Sequence, residues 1–497
     1  METVWILGDQ LRRDTGPLAR RRPGEVRVLM VESDAKIGTG RWHRQRLHLV
    51  LASMRRFAAE LRDEGFAVDL RQAPSLRAGL EAHRAEFSPS QVTAMSPMSW
   101  DGAAMLGRAG VDVVANDQFL CSAERFADWA AGRKSLRMED FYRWQRTRMS
   151  VLMDGDEPAG GRWNFDADNR EPPPRDGRSW PEPLVDPLDE VDARVIVDIA
   201  RRAPDAFGAP PSGLWATTRA GAVARLRHFI DEVLPLFGPH EDAMVRDDWH
   251  LAHSLLSPYL NLGMLHPGEV VAAAERAYRD GRVPIASAEG FIRQVIGWRE
   301  YVWGLYWSWM PTYRAENALD ADRALPAAFT GASTDMACVA HTIERLDEHA
   351  WVHHIERLMI LGNLALTSGT RPEAMVDWMW KSFIDGAEWV MLPNVIGMAL
   401  YADGGRMATK PYASGGAYIK RMSDHCGSCR FDPGTRIGER ACPYTTLYWD
   451  FLARNEDTLR SNHRLGNQMG SMRKLADLGA VRERAVEIRT RLVDGTI

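Results

Sequence analysis

The first 115 residues alternate short apolar runs with amphipathic stretches, and this rhythm restricts the fold more than any other feature of the chain. Apolar runs occur at Val4–Leu7, Val26–Val31, Ala67–Leu70, Val92–Met95 and Val111–Val114. Between the second and third, Leu47, Val50, Leu51, Met54, Ala58 and Leu61 recur at helical spacing, with Arg and Glu on the opposite face. Strand, helix, strand in this order demands crossover connections and hence a parallel, doubly wound sheet. The first turn reads Gly8-Asp9-Gln10-Leu11 and lacks G-x-G-x-x-G, which excludes a dinucleotide site of the dehydrogenase kind.

Beyond the sheet the pattern changes twice. From Asp154 to Pro187 the chain carries prolines 158, 172, 173, 174, 181, 183 and 187, together with several glycines and aspartates, and reads as a long crossing loop. From about 191 onward it reads as helical, with stripes such as Ala222, Leu226, Phe229 and Ile230. The expected architecture is an α/β domain over 1–135, a connector over 136–195 and an all-α domain over 196–497. A chain of 497 residues with 45% hydrophobic content can fill cores of that size.

Net charge is −5, which excludes coating of nucleic acid by bulk charge and leaves room for a local basic groove. Five cysteines do not suit a secreted disulfide scaffold. No basic-then-apolar leader opens the sequence, and the most apolar window, Trp389–Ala402, is interrupted by Pro393 and Asn394. The chain reads as a cytoplasmic protein. Tryptophan outnumbers tyrosine, 18 to 11, and most of these indoles are expected to serve as packing.

Cys426-Gly427-Ser428-Cys429 is a C-x-x-C, Cys442 precedes Pro443, and Cys338 lies far upstream. Four thiolates suit a cubane [4Fe–4S] cluster or an all-cysteine zinc site, and a redox disulfide is the rival for the short pair. A zinc ribbon would want a second C-x-x-C, so the reading leans to iron–sulfur. Cys121, in the sheet domain, reads as a buried spectator. Ser254 and Ser257 stand three apart at a helix start, where they either hold phosphate oxygens or cap the helix. His353 and His354 are adjacent and point about 100° apart if helical, so one can face a pocket as a proton donor while the other is structural. Arg357 sits in an apolar run and needs a carboxylate if buried, and Asp385 is the candidate. Lys410-Pro411-Tyr412 and Lys420-Arg421 suit a phosphate backbone or a solvated loop.

Several motifs taken together resemble a known family. They are Leu7-Gly8-Asp9-Gln10-Leu11, Gly160 to Asp166, His253-Ser254-Leu255-Leu256-Ser257, Gly290 to Gln294 with Trp298-Arg299-Glu300, His353 to Arg357, Leu392 to Met398, and the four cysteines. The chain resembles the iron–sulfur bacterial cryptochromes and photolyases, the prokaryotic (6-4) photolyases, over nearly its whole length. The resemblance implies an antenna pigment in the α/β domain, a folded FAD in the helical domain and a [4Fe–4S] cluster on Cys338, Cys426, Cys429 and Cys442. It implies light-driven repair of the pyrimidine (6-4) pyrimidone photoproduct in UV-damaged DNA. Excited reduced flavin would give an electron to a flipped-out lesion, with His354 as proton donor beside His353 and with Tyr412 as lesion contact.

By the same resemblance Ser254, Leu256 and Ser257 hold the flavin phosphates. Gln294, Trp298, Arg299 and Asn394 line the flavin pocket, Arg357 and Asp385 pair against the ring, and Trp378 serves photoreduction. Asp9 and Gln10 would contact a 6,7-dimethyl-8-ribityllumazine antenna, although Glu32–Thr39 lacks the acidic-plus-aromatic pattern associated with that pocket. Met391, Met379 and Ala387 also depart from relatives that carry polar or tyrosine residues there. The enzyme is expected to be monomeric and independent of membranes. The rival readings are a cryptochrome-like light sensor with the same cofactors and a non-photochemical iron–sulfur nucleic-acid binder.

Overall fold

The computed structural model describes residues 1–497. Five strands, β1 (Glu2–Trp5), β2 (Val26–Ser33), β3 (Ala67–Ala73), β4 (Val92–Met95) and β5 (Asp112–Val114), form one sheet in the order β3-β2-β1-β4-β5. Every pairing is parallel, with Val4 opposite Val28 on one side and Thr93 on the other. Both faces are apolar, as a buried parallel sheet requires. Trp5, Leu7, Leu29 and Val31 pack with Leu80 and Leu106, while Val4, Ile6, Val28 and Met30 pack with Leu49, Met54, Ala58 and Leu61.

The predicted amphipathic helix is α1 (Arg44–Asp63). Helices α2 (Leu76–Phe87) and α3 (Trp100–Arg108) start on serine caps, Ser75 and Ser99, whose hydroxyls accept backbone N–H bonds. The strand order reverses at β1, which opens a crevice beyond the carboxyl ends of β1 and β4.

No α-helix forms between Asp154 and Pro187, in line with the proline content. Buried Arg225 anchors this connector. Its guanidinium bonds Asp186 Oδ2 at 2.9 Å, the Leu184 carbonyl at 3.0 Å and the Leu214 carbonyl at 3.2 Å. The next helix, α4 (Glu190–Arg202), begins on a capping box of Asp189 and Asp192. It packs Val195 and Ile199 against Leu47 and Leu51 of α1, so it lies on the sheet layer although it straddles residue 196.

The remainder is helical, around one large core that includes α5 (Ala337–His349), α6 (Pro372–Ser382) and α7 (Pro443–Arg454). A second core runs without interruption from β1, β2 and α1 into residues of the helical part such as Phe229, Tyr259 and Ile384. No helix is long and apolar enough to cross a membrane.

Candidate active site and metal centre

Three of the motifs fall in wide π-turns, Arg293–Arg299, Glu356–Gly362 and Pro393–Ala399. Such turns interrupt α-helices most often at functional sites. Arg357, in the second, makes the pair expected of it. Its two Nη atoms bond both oxygens of Asp385 at 2.9 and 3.2 Å, and its Nε bonds the Val352 carbonyl at 2.8 Å. The Ser257 hydroxyl donates to Asp385 Oδ2 at 2.7 Å, and Asn261 Nδ2 holds the Asp385 carbonyl at 2.8 Å. Phe383 lies under the guanidinium, 4.2 Å from ring centroid to Cζ. The bidentate geometry fixes the pair as a planar, rigid unit.

Beside it stand three imidazoles. His253 and His353 stack with centroids 4.8 Å apart, and His354 lies 5.5 Å from His253. The two adjacent histidines face different surroundings. His353 is only 1% exposed, and neither ring nitrogen has a hydrogen-bond partner. Burial, reinforced by the neighbouring imidazoles, pushes its pKa well below the usual value and keeps the ring neutral. His354 has a side chain 51% exposed and hydrogen-bonds Asp242 Oδ1 through Nε2 at 3.2 Å. Desolvation pulls its pKa down, but the bond and the charge of Asp242 more than offset this, and the net shift is upward. His253 is driven to about 3 by burial.

Buried Glu241 is pushed up to about 7, and its Oε2 has no partner. Arg293 Nη2 is orphaned as well. Buried polar atoms without partners are few in native proteins, and their concentration here marks a volume that wants a polar ligand. Leu251 and Leu255, on either side of His253, hold left-handed φ values of 47° and 54°, a strain bulky side chains carry where a site demands it. These features fit a large polar cofactor such as FAD. Half-buried Tyr412 lies within the electrostatic reach of Arg170, Arg464 and Asp242, and Tyr418 within that of Arg170, Arg421 and Asp242.

The other expected flavin residues are placed less closely. Ser254 Oγ accepts from Leu256 N at 3.4 Å, a local turn. Asn394 Nδ2 bonds its own helix at the Val390 carbonyl, 2.9 Å away, and Gln294 is half-buried. Arg299 bonds Glu300 at 2.6 Å and the Gln118 carbonyl at 3.3 Å, and it stacks on Phe119 and Trp389 at the junction with the sheet domain. Trp298 packs edge-on to Tyr301 in the small cluster around Cys121 and Phe126. Neither Arg299 nor Trp298 is brought to the Arg357–Asp385 pair. Trp378 donates its indole N–H to the Phe329 carbonyl at 2.8 Å, stacks on Phe329 and meets Phe383 edge-on, one ring removed from Arg357. A separate file of indoles, Trp389, Trp303, Trp307 and Trp100, runs with centroids 5.7, 5.5 and 5.8 Å apart.

The four cysteines meet in one cavity, with Cys338 in α5, Cys442 capping α7, and Cys426 and Cys429 on the intervening turn. Burial first, and then the neighbouring sulfurs, raise the Cys338 thiol far above its usual pKa. Cys426 is pushed up to about 11 for the same reasons. Two buried and two half-buried cysteines gathered in one cavity are a donor set suited to a cationic centre. A thiol set drawn from three separate segments, with no second C-x-x-C, suits a cluster better than a zinc ribbon. Gly416 packs against this cavity so closely that a Cβ there would sit 2.9 Å from Cys442 Sγ. Cys121 is buried apart from the group, as expected.

At the crevice of the sheet, a cavity of about 370 Å³ is shared with the helical domain. Asp9 lines it, and burial raises this carboxyl to about 6. Opposite, burial lowers Arg46 to about 9, with Asp385 acting to raise it. Gln10 does not line the cavity. Its amide is spent on the backbone of Leu7, Met95 and Ser96. Glu32 lines the cavity but is clamped by Arg55 at 2.7 Å and Arg202 at 2.6 Å.

Sequence reasoning passed over Asp242, Glu241 and Arg46. The first two lie in an irregular segment without periodicity, and only the tandem of acids hinted at them.

Residues 4–215 match a family profile described as deoxyribodipyrimidine photo-lyase-related protein. The chain is 43% identical over 488 residues to a (6-4) photolyase of Agrobacterium fabrum (strain C58 / ATCC 33970), covering 96% of each. In structure it is similar to a bacterial class III photolyase from Agrobacterium tumefaciens, with a TM-score of 0.56 and 17% identity over 99% of this chain and 97% of the other. It is also similar to a cryptochrome from Synechocystis sp. PCC6803, with a TM-score of 0.51 and 14% identity over 85% and 88%. On the strength of the near full-length identity, the chain belongs to the photolyase-related family of which the Agrobacterium fabrum (6-4) photolyase is a member.

Proposed function

We propose that the protein is a light-dependent DNA repair lyase acting on the pyrimidine (6-4) pyrimidone photoproduct. The observation that carries this reading is the split between His353 and His354, one buried and neutral, the other half-exposed and held toward its protonated form by Asp242. Acid catalysis needs a proton donor near neutral pH at an open pocket. Nε2 of His354 is committed to Asp242, so Nδ1 offers the proton to a flipped base. Tyr412 and Tyr418 give that base aromatic walls, and Arg170, Arg421 and Arg464 give the flanking phosphates positive charge.

Ser254, Leu256, Ser257, Arg357, Asp385 and Asn394 would hold FAD, whose reduced, excited form supplies the electron for bond cleavage. Ser257 and Arg357 together orient the Asp385 carboxylate, and Phe383 closes the far side of the guanidinium against water. Cys338, Cys426, Cys429 and Cys442 would hold a [4Fe–4S] cluster that ties three segments together. The interdomain cavity, with Asp9 as its buried acid, suits a lumazine antenna. Trp378 is the first ring on the path of photoreduction.

The test is repair of a (6-4)-lesion oligonucleotide by purified protein under blue light, beside His354→Ala. Restored thymines in the wild type, and their loss in the variant, are expected. Flavin photoreduction without lesion turnover would favour a cryptochrome-like sensor, a reading supported by buried Met379 and Met391 in place of polar or tyrosine neighbours. Iron content should fall in Cys429→Ser. An unchanged value would refute the ligand assignment.

A further inference from the structure

The imidazole trio has a second property that proton donation does not use. One ring nitrogen from each of His253, His353 and His354 lies within 4.8 Å of the other two. Two of the three rings have one nitrogen hydrogen-bonded to oxygen. His253 Nδ1 bonds the His250 carbonyl at 3.0 Å, which leaves Nε2 buried without a partner. His354 Nε2 bonds Asp242 at 3.2 Å, which leaves Nδ1. A Glu356 oxygen stands 3.6 Å from His353 Nε2, and neither nitrogen of that ring makes a hydrogen bond. Imidazoles held as His253 and His354 are, with a carbonyl or carboxylate bonded to one nitrogen and the other free, are typical of metal ligands.

We propose that His253, His353 and His354 form a second metal site, for one divalent transition ion of the zinc type, separate from the four cysteines. Three neutral nitrogens suit zinc and not magnesium, and the exposed edge of His354 leaves a fourth position open to water. Closing the trio from at most 4.8 Å to the roughly 3.4 Å of a tetrahedral zinc site needs small ring movements. Binding is an exchange. The ion takes the Nδ1 lone pair of His354, and the proton held there leaves to solvent. Its consequence, which rests on the repair reading above, is that the occupied site has no proton donor and repair stops until the ion is removed.

The experiment uses the protein carrying flavin and iron, equilibrated with zinc sulfate and desalted. Elemental analysis should count one zinc per chain with iron unchanged, and that zinc should be absent from His253→Gln and His353→Gln proteins of wild-type iron content. X-ray absorption at the zinc edge of the wild type, which needs no variant, should show nitrogen or oxygen at about 2.0 Å and no sulfur at about 2.3 Å. Zinc that does not bind, that binds both variants equally, or that shows a sulfur shell would overturn the site. Repair should fall at least tenfold with zinc and return with a chelator. Full-rate repair by zinc-loaded protein would overturn the inhibition. A preparation that repairs nothing before zinc is added refutes the repair reading instead, and the zinc count then decides the site alone.

Discussion

His353 and His354 are covalent neighbours with opposite charge preferences: burial keeps the first neutral, and the Asp242 carboxylate favours the charged form of the second. Replacing Asp242 by Asn keeps the shape and removes the charge. His354 is then expected to titrate lower, and the alkaline limb of the repair rate should move to lower pH, which a pH–rate profile checks. The same pair links stability to pH. The folded pKa of His354 is raised, so the pair stabilises fully below the unfolded value of about 6.5 and fades as pH rises through the folded value. Asp242→Asn should therefore lower the melting temperature more at pH 6 than at pH 9, and equal losses would contradict the assignment. Asp385→Ala leaves half-buried Arg357 without a counter-ion and should cost about 2 kcal/mol in denaturant unfolding. That partnership was legible in the sequence, because an arginine inside an apolar run must find an acid. Asp242 was not, because nothing in an irregular segment says which way a side chain turns.

Among the elements, α5 and α7 converge on the sulfurs, and the approach is close enough that one hydrogen at Gly416 is all the space allows. Gly416→Ala is expected to lower iron content and thermal stability together, measured on protein purified without oxygen. The connector depends on another single contact. Arg225→Ala removes bonds to Asp186, Leu184 and Leu214, and limited proteolysis should then cut within 181–189 faster than in the wild type. Strands, the amphipathic α1 and the α-helix-free stretch 154–187 could all be read from periodicity and proline content, since each is a local signal, whereas the connector expected over 136–195 also holds an α-helix at Met138–Met149. The π-turns could not, because an inserted residue leaves the apolar pattern nearly intact while rotating the downstream helix face by about 100°. Among homologues, one-residue gaps should therefore fall outside 293–299, 356–362 and 393–399.

For the molecule as a whole, a net charge of −5 coexists with Arg170, Arg421 and Arg464 near Tyr412 and Tyr418. Arg421→Ala should weaken binding to lesion and undamaged duplexes alike and reduce the salt slope of the affinity by about 1, as for any lost phosphate contact. The two-part architecture was visible in the change of periodicity near residue 190. The degree of fusion between the parts was not, since it depends on which faces meet. The core that passes from β1 and α1 into Phe229, Tyr259 and Ile384 belongs to neither part alone. Such a chain is not assembled from portable cassettes. Residues 1–195 expressed alone should aggregate, the intact protein should melt in a single calorimetric transition, and gene fusions that exchange the front half between distant relatives should fail unless the matching strip of helices travels with it.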